Sequence, residues 1–177
     1  MNLHPDVEKV LVSDTQIAER CVELGKEIAN YYKGEVPIAV GLLKGSVPFM
    51  AQLVKNVPGD IEMDFMDVSS YSGTESTEVK IIKDLECSIK GRSILLVEDI
   101  IDTGKTIKVV KELLYSKGAK DVKIVALLDK PEGRKVEIDA DWIGFSIPDE
   151  FVIGYGLDYN QKYRNLPYVG VIKKSAI

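Results

Sequence analysis

After Ser13, apolar residues return at the helical period: Ile17, Cys21, Leu24 and Ile28 share one face. Ser13 and Gln16 have the spacing of a capping box, so a helix is predicted to begin there and to stop before Gly34. The run VPIAVGLL (Val36–Leu43) is apolar almost throughout and reads as a buried strand. The tripeptide Lys44–Gly45–Ser46 then turns into a second helix, with Val47, Met50, Ala51 and Val54 predicted to face inward. In IEMDF (Ile61–Phe65) apolar and acidic residues alternate, as in a half-exposed strand. Ser70–Glu78 (SYSGTESTE) is small, polar and aperiodic and reads as a mobile loop, with VKIIKDL (Val79–Leu85) as its returning strand. SILLV (Ser93–Val97) is a further buried strand, and Ile107, Val110, Leu113 and Leu114 mark a helix that ends near Gly118. VKIVALL (Val122–Leu128) is the next buried strand.

Strand, helix and strand in alternation, with strands apolar on both sides, predict an α/β fold: a mainly parallel sheet flanked by helices on both faces. In such sheets ligands sit beyond the carboxyl ends of the strands. Lys44, Glu98, Asp99, Asp102 and Lys130 all fall at those ends. From Arg134 onward the pattern breaks into short strands and turns, which suggests a small subdomain beside the sheet within a single domain over residues 1–177.

Composition narrows the chemistry. With 177 residues, 45% hydrophobic and 29% charged, the chain is long enough for one sizeable core. Its apolar runs fall far short of the ~20 residues a membrane helix needs. MNLHPDVEKV lacks the order of a secretory signal, so a cytoplasmic location is expected. Cys21 and Cys87 are few and distant, and read as reduced thiols. A net charge of −5 gives no general pull toward nucleic acid. The only histidine is His4, which argues against Ser-His or Cys-His nucleophiles and against zinc. Carboxylates, lysines, backbone amides and Mg²⁺ are what remains.

These converge on ILLVEDIIDTGKT (Ile94–Thr106), where an apolar strand runs into Glu98, Asp99 and Asp102 and then a small polar turn. The ending GKT is shared with triphosphate-binding loops, but the glycine that motif needs earlier is replaced by Asp99. What remains is a short loop, Asp102–Thr106, whose amides and helix start suit a single phosphate, with hydroxyls from Thr103 and Thr106. A plain helix cap at Thr103 is the other reading of the loop by itself. Glu98 and Asp99 repel each other at a strand end. Ribose hydroxyls and a Mg²⁺ ion shared with substrate oxygens would satisfy them; so would water at a solvated end.

VEDIIDTGKT resembles the phosphoribosyl-pyrophosphate motif of type I phosphoribosyltransferases, in the form found in the hypoxanthine-guanine branch. Leu42–Ser46 (LLKGS), Ser69–Gly73 (SSYSG), Leu127–Arg134 (LLDKPEGR) and Phe145–Val171 resemble that family in the same order, so the likeness covers most of the chain in a bacterial style. The resemblance implies a central parallel sheet with a small hood, formed by the N-terminal segment and roughly residues 134–177, and a flexible active-site loop. It implies transfer of a phosphoribosyl group to hypoxanthine or guanine in purine salvage, with Mg²⁺, in a homodimer or homotetramer, with no nucleic-acid or membrane partner.

By the same resemblance, Asp102 would be the general base at purine N7. Glu98 and Asp99 would hold ribose and Mg²⁺, and Asp102, Thr103, Gly104, Lys105 and Thr106 the 5′-phosphate. Lys44 and Gly45 would meet pyrophosphate, with the Leu43–Lys44 peptide cis, and so would Arg164. Lys130 would donate to the 6-oxo group, Phe151 would stack on the purine and Val152 would read its edge. Asp158 would hold a second Mg²⁺, and Ser70 and Tyr71 would lie on a closing lid. Taken singly, Arg164 reads first as a surface ion-pair partner, Lys130 as a solvated lysine and Phe151 as a core residue, and Asp158 reads also as a turn former. Asp129, before Lys130, stands where some relatives have an apolar residue. A xanthine-preferring enzyme, or an RNA-binding regulator on the same fold, are the alternatives.

Overall fold

A computed structural model describes the backbone of residues 3–72 and 77–177, and the side chains of these except 70–72 and 77–79. In chain order the elements are β1 (Val7–Val12), α1 (Asp14–Tyr31), β2 (Ile38–Leu43), α2 (Val47–Val54), β3 (Glu62–Ser72), β4 (Thr77–Lys83), β5 (Ser93–Ile101), α3 (Lys105–Ser116), β6 (Asp121–Asp129), β7 (Trp142–Ser146), β8 (Val152–Ile153) and β9 (Val169–Ile172). The main sheet has the order β4-β3-β2-β5-β6-β7. Its β2–β3, β2–β5, β5–β6 and β6–β7 pairs are parallel, and the β3–β4 pair is antiparallel. A second, antiparallel sheet has the order β1-β9-β8.

Side-chain alternation along the main-sheet strands builds one core on each face of that sheet, and Val7, Ile153, Tyr168 and Ile172 form a smaller cluster at the second sheet. Ala39, Leu95, Val97, Val125 and Leu127 pack against α1 and α2. Their neighbours Val40, Leu96, Ile124 and Ala126 pack against Ile107, Val110 and Leu114 of α3. Burial on both faces is why these strands read as unbroken apolar runs. Truncating a side chain such as Leu96 to alanine would cost roughly 2–5 kcal/mol. The strand ends are therefore a stiff platform. At the start of α1 the Ser13 hydroxyl accepts from the Gln16 amide at 3.3 Å, while Gln16 Oε1 accepts from the Ser13 amide at 2.9 Å. Ile17, Cys21, Leu24 and Ile28 are fully buried, as the periodicity predicts.

The structure differs from the sequence expectations in four places. In α2 the inward residues are Phe49, Met50 and Leu53, whereas Val47 is 41% exposed and Ala51 is exposed. The helix starts one turn after the end of β2 and is rotated so that Phe49 meets the sheet. The expected loop Ser70–Glu78 is largely hairpin: Tyr71 pairs with Glu78 and Ser72 with Thr77. The lid expectation for residues 73–76 lies outside the described residues, as do the side chains of Ser70 and Tyr71. The residues after Arg134 do not all leave the sheet, because β7 pairs in parallel with β6. Finally, α3 is capped by Gly104 in the left-handed region, with no side-chain cap. Thr103 Oγ1 only accepts a long 3.4 Å bond from the Lys105 amide. No described helix is long and apolar enough to cross a membrane.

Candidate active site

The buried start of β5 fixes where its end must point. Glu98 and Asp99 are the first charged residues after the buried run Ser93–Val97, and both are half-buried. Glu98 Oε2 has no solvent contact and no hydrogen-bond partner among the described residues. Burial, then the neighbouring Asp99 charge, pushes its carboxyl well above the usual range. Burial likewise pushes Asp99 up to about 6, against the pull of the Ile100 amide and of Arg164. Such a cost is unusual at a structural position and is a mark of functional ones.

Glu98 shares a cavity of ≈ 120 Å³ with Asp102, Thr103, Gly104 and Thr106. The left-handed Gly104 (φ 78°) is required there twice over. An L residue would be strained, and its Cβ would lie 2.5 Å from Ile138 and 3.0 Å from Arg134. The loop is also held from behind. Arg134 donates to the carbonyls of Ile101 (3.1 Å) and Asp102 (2.7 Å) and pairs with the Asp129 carboxylate. The Lys135 amide donates to the Thr103 carbonyl at 2.9 Å. Thr103 and Lys105 are exposed, and Thr106 is half-buried.

On the other side of β5, Gly45 is buried against Asp99 so closely that a Cβ would sit 1.6 Å from Oδ2. The preceding Leu43–Lys44 peptide is cis, and Lys44 is exposed. Gly156 closes this contact from the far side, its position for a Cβ lying 1.9 Å from the Gly45 carbonyl. The Gly156 carbonyl accepts from Arg164 at 2.7 Å, and the Arg164 guanidinium pairs with Asp158 at 2.8 Å. Asp99, Gly45, Gly156, Arg164 and Asp158 thus form one connected wall.

The third wall is built on Lys130, which β6 delivers to its carboxyl end. Its ammonium lies 3.3 Å from Asp102 Oδ2 and 2.8 Å from Asp149 Oδ1, and its side chain is 9% exposed. Burial pulls its pKa down, but the bonds to Asp149 and Asp102 outweigh that and hold it above the usual value. The bond from Lys130 in turn lowers the Asp149 carboxyl. Asp149 ties Lys130 to the segment carrying Phe151 and Val152. Phe151 is 49% exposed and meets Tyr159 edge-on at 5.7 Å, while Val152 is buried in β8.

Asp149, Arg134 and Gly156 were not singled out from the sequence. A buried lysine demands a carboxylate partner, so IPDE beside Phe151 held a signal for Asp149, but nothing in the spacing says which acid it is. Among the described residues no three His, Cys, Asp or Glu side chains form a ready metal cage. The oxygen-only donors Glu98, Asp99 and Asp158, one of them with an orphaned oxygen, fit a hard cation that a ligand's own oxygens also hold. Wider clefts of ≈ 310 and ≈ 370 Å³ open at the opposite end of the sheet, around Tyr32 and Glu35.

A family model described as "Phosphoribosyl transferase domain" matches residues 11–160. Over 170 residues the chain is 56% identical to the hypoxanthine-guanine phosphoribosyltransferase of Bacillus subtilis (strain 168), covering 95% of this chain and 94% of that protein. It is 55% identical over 174 residues to the bifunctional protein TilS/HprT of Listeria monocytogenes serotype 4b (strain F2365), covering 97% of this chain but 27% of that longer protein. A solved hypoxanthine phosphoribosyltransferase from Staphylococcus aureus superposes with a TM-score of 0.95 at 47% identity, covering 99% of this chain and 98% of the other.

Proposed function

This chain belongs to the phosphoribosyl transferase family, and we propose that it transfers the 5-phosphoribosyl group of phosphoribosyl pyrophosphate to hypoxanthine or guanine, releasing pyrophosphate, in purine salvage. The observation that carries the proposal is the unpartnered Glu98 oxygen beside the small cradle of Asp102–Thr106. A half-buried glutamate with one shielded, unpartnered oxygen next to a small hollow asks for a ligand that brings both an anion and hydroxyl or cation donors. A sugar phosphate with a pyrophosphate at C1 does so.

Each wall then has a task. The amides of the Asp102–Thr106 loop, at the start of α3, hold the 5′-phosphate. Glu98 and Asp99 accept from the ribose hydroxyls. Lys44, Gly45 and Arg164 face pyrophosphate, where the Arg164 fork suits paired oxygens. Mg²⁺ bound with the substrate, near Glu98, Asp99 and Asp158, would supply positive charge to the departing pyrophosphate. Bond breaking at C1 leaves an oxocarbenium-like sugar, which the carboxylates beside it stabilise.

Asp102 removes the N7 proton of the incoming purine, making the base a better nucleophile. Lys130 pairs with the Asp102 carboxylate at 3.3 Å and directs a remaining N–H at the 6-oxo group. A lysine ammonium cannot accept from the 6-amino group of adenine, so adenine is rejected. The exposed face of Phe151 stacks on the purine, Val152 presents backbone groups to its edge, and Ser70 and Tyr71 belong to the segment that closes over the reaction. We place the protein in the cytoplasm, as a homodimer or homotetramer. A spectrophotometric assay with phosphoribosyl pyrophosphate, Mg²⁺ and each of hypoxanthine, guanine, xanthine, adenine and uracil tests this: the first two are turned over, and turnover of adenine or uracil instead overturns it.

A further inference from the structure

All non-glycine residues with left-handed backbone among the described residues lie between Gly154 and Arg164: Tyr155 (φ 50°), Asn160 (φ 50°), Gln161 (φ 63°) and Tyr163 (φ 77°). Asparagine tolerates this region, but a tyrosine there is unfavourable and persists only where surroundings over-determine it. Tyr163 directly precedes Arg164. The Leu166 amide donates to the Tyr163 carbonyl at 3.0 Å, and a second holding group, on the side chain, comes from the far end of the chain.

The Tyr163 hydroxyl donates to Asp6 Oδ2 at 2.8 Å, and the His4 ring meets the Tyr163 ring edge-on at 5.3 Å. Asp6 is itself fixed. Its carbonyl accepts from the Lys173 amide at 2.8 Å, and it leads into the buried Val7 of β1, which pairs with β9. The left-handed turn at Tyr163 sends its side chain toward residues 4–6. The next side chain, Arg164, goes the opposite way, onto the Gly156 carbonyl and Asp158. Relaxing Tyr163 to negative φ would swing the Cα–Cβ bond of Arg164 off that wall.

We propose that Asp6 is a positioning residue: through Tyr163 it sets the aim of Arg164 and so tunes affinity for the pyrophosphate end of the substrate, without touching it. This rests on the reading of Arg164 given above. The effect is one hydrogen bond deep, so it should appear in KM for phosphoribosyl pyrophosphate and not in the chemical step.

Steady-state kinetics and Tm of Asp6→Ala, Tyr163→Phe, their double variant and Asp6→Asn test it. Asp6→Ala and Tyr163→Phe should each raise KM for phosphoribosyl pyrophosphate about three- to tenfold. KM for hypoxanthine and kcat should stay within about twofold. The double variant should be no worse than either single one. Asp6→Asn, whose amide oxygen still accepts from the tyrosine, should stay near the parent. An active parent whose single variants leave this KM unchanged, raise both KM values together, or add in the double variant overturns the tether alone. A parent that transfers no phosphoribosyl group to any base overturns the reading of the site beneath it.

Discussion

Strand β5 has an acidic group at each end, and the two are treated oppositely. At its amino end Glu35 accepts from the Ser93 hydroxyl at 2.7 Å and pairs with Lys120, and these bonds pull its carboxyl below the usual range. Arg92–Glu62 and Tyr31–Asp121 complete a neighbourhood in which each named charge has a partner. At its carboxyl end Glu98 keeps an oxygen with no partner among the described residues, and Asp99 is pushed up to about 6. The clefts rank the other way by size, ≈ 370 Å³ at the amino end against ≈ 120 Å³ at the carboxyl end. Unmet polar demand, and not the volume of the hollow, marks where this fold receives a ligand.

The sharpest break of that contrast is removal of the base. Asp102→Asn should lower kcat by ~10²–10⁴ while leaving the affinity for phosphoribosyl pyrophosphate largely intact. Single-turnover kinetics beside a binding titration would separate the two, and unchanged turnover would remove Asp102 from its role.

Asp99→Asn should give effects of opposite sign on function and stability. The folded protein holds a proton on Asp99 up to about pH 6, against an ordinary value of 3.8. Between those values the fold binds more protons than the unfolded chain, so stability falls as pH rises through that window. The loss is roughly 1–3 kcal/mol for a shift of this size. The ligand-free variant should therefore melt higher than the parent at pH 7, lose that part of the pH slope, and bind phosphoribosyl pyrophosphate with Mg²⁺ more weakly. Melting curves from pH 4 to 7 would show it; a variant less stable than the parent at pH 7 would contradict it.

Lys130→Ala should relax discrimination against adenine by about tenfold or more, read as the ratio of kcat/KM for hypoxanthine to that for adenine. The smallest effect belongs at the amino end. Glu35→Gln should cost a little Tm and leave every kinetic constant unchanged, because the pair it breaks is exposed and serves no ligand. A kinetic effect there would erase the distinction between the two ends.

Periodicity is local, and what it made legible is local too. The inward face of α1, the buried strands and the Asp102–Thr106 turn could all be read along the chain. The rotation of α2 could not, because the short helix offers two apolar stripes and only contact with the sheet chooses Phe49 over Val47. The pairing of β7 with β6 was hidden for a similar reason: Trp142–Ser146 is brief and half-buried, and its place depends on a partner already in the sheet. At the site, the acidic residues and Lys130 were visible as residue types. Their partners were not. Lys130 meets Asp102 across 28 positions, and Arg134 holds the Asp102 carbonyl across 32. Which charge answers which is a property of the folded chain.

Calorimetric titration of the protein with phosphoribosyl pyrophosphate near pH 6, with and without Mg²⁺ and in two buffers of different ionisation enthalpy, bears most directly on the unmet demand at the end of β5. Binding should need the metal, and should release protons from the carboxyl end, so that the measured heat changes with the buffer. No heat with Mg²⁺ present, or equal binding by a Glu98→Gln, Asp99→Asn variant, would contradict it.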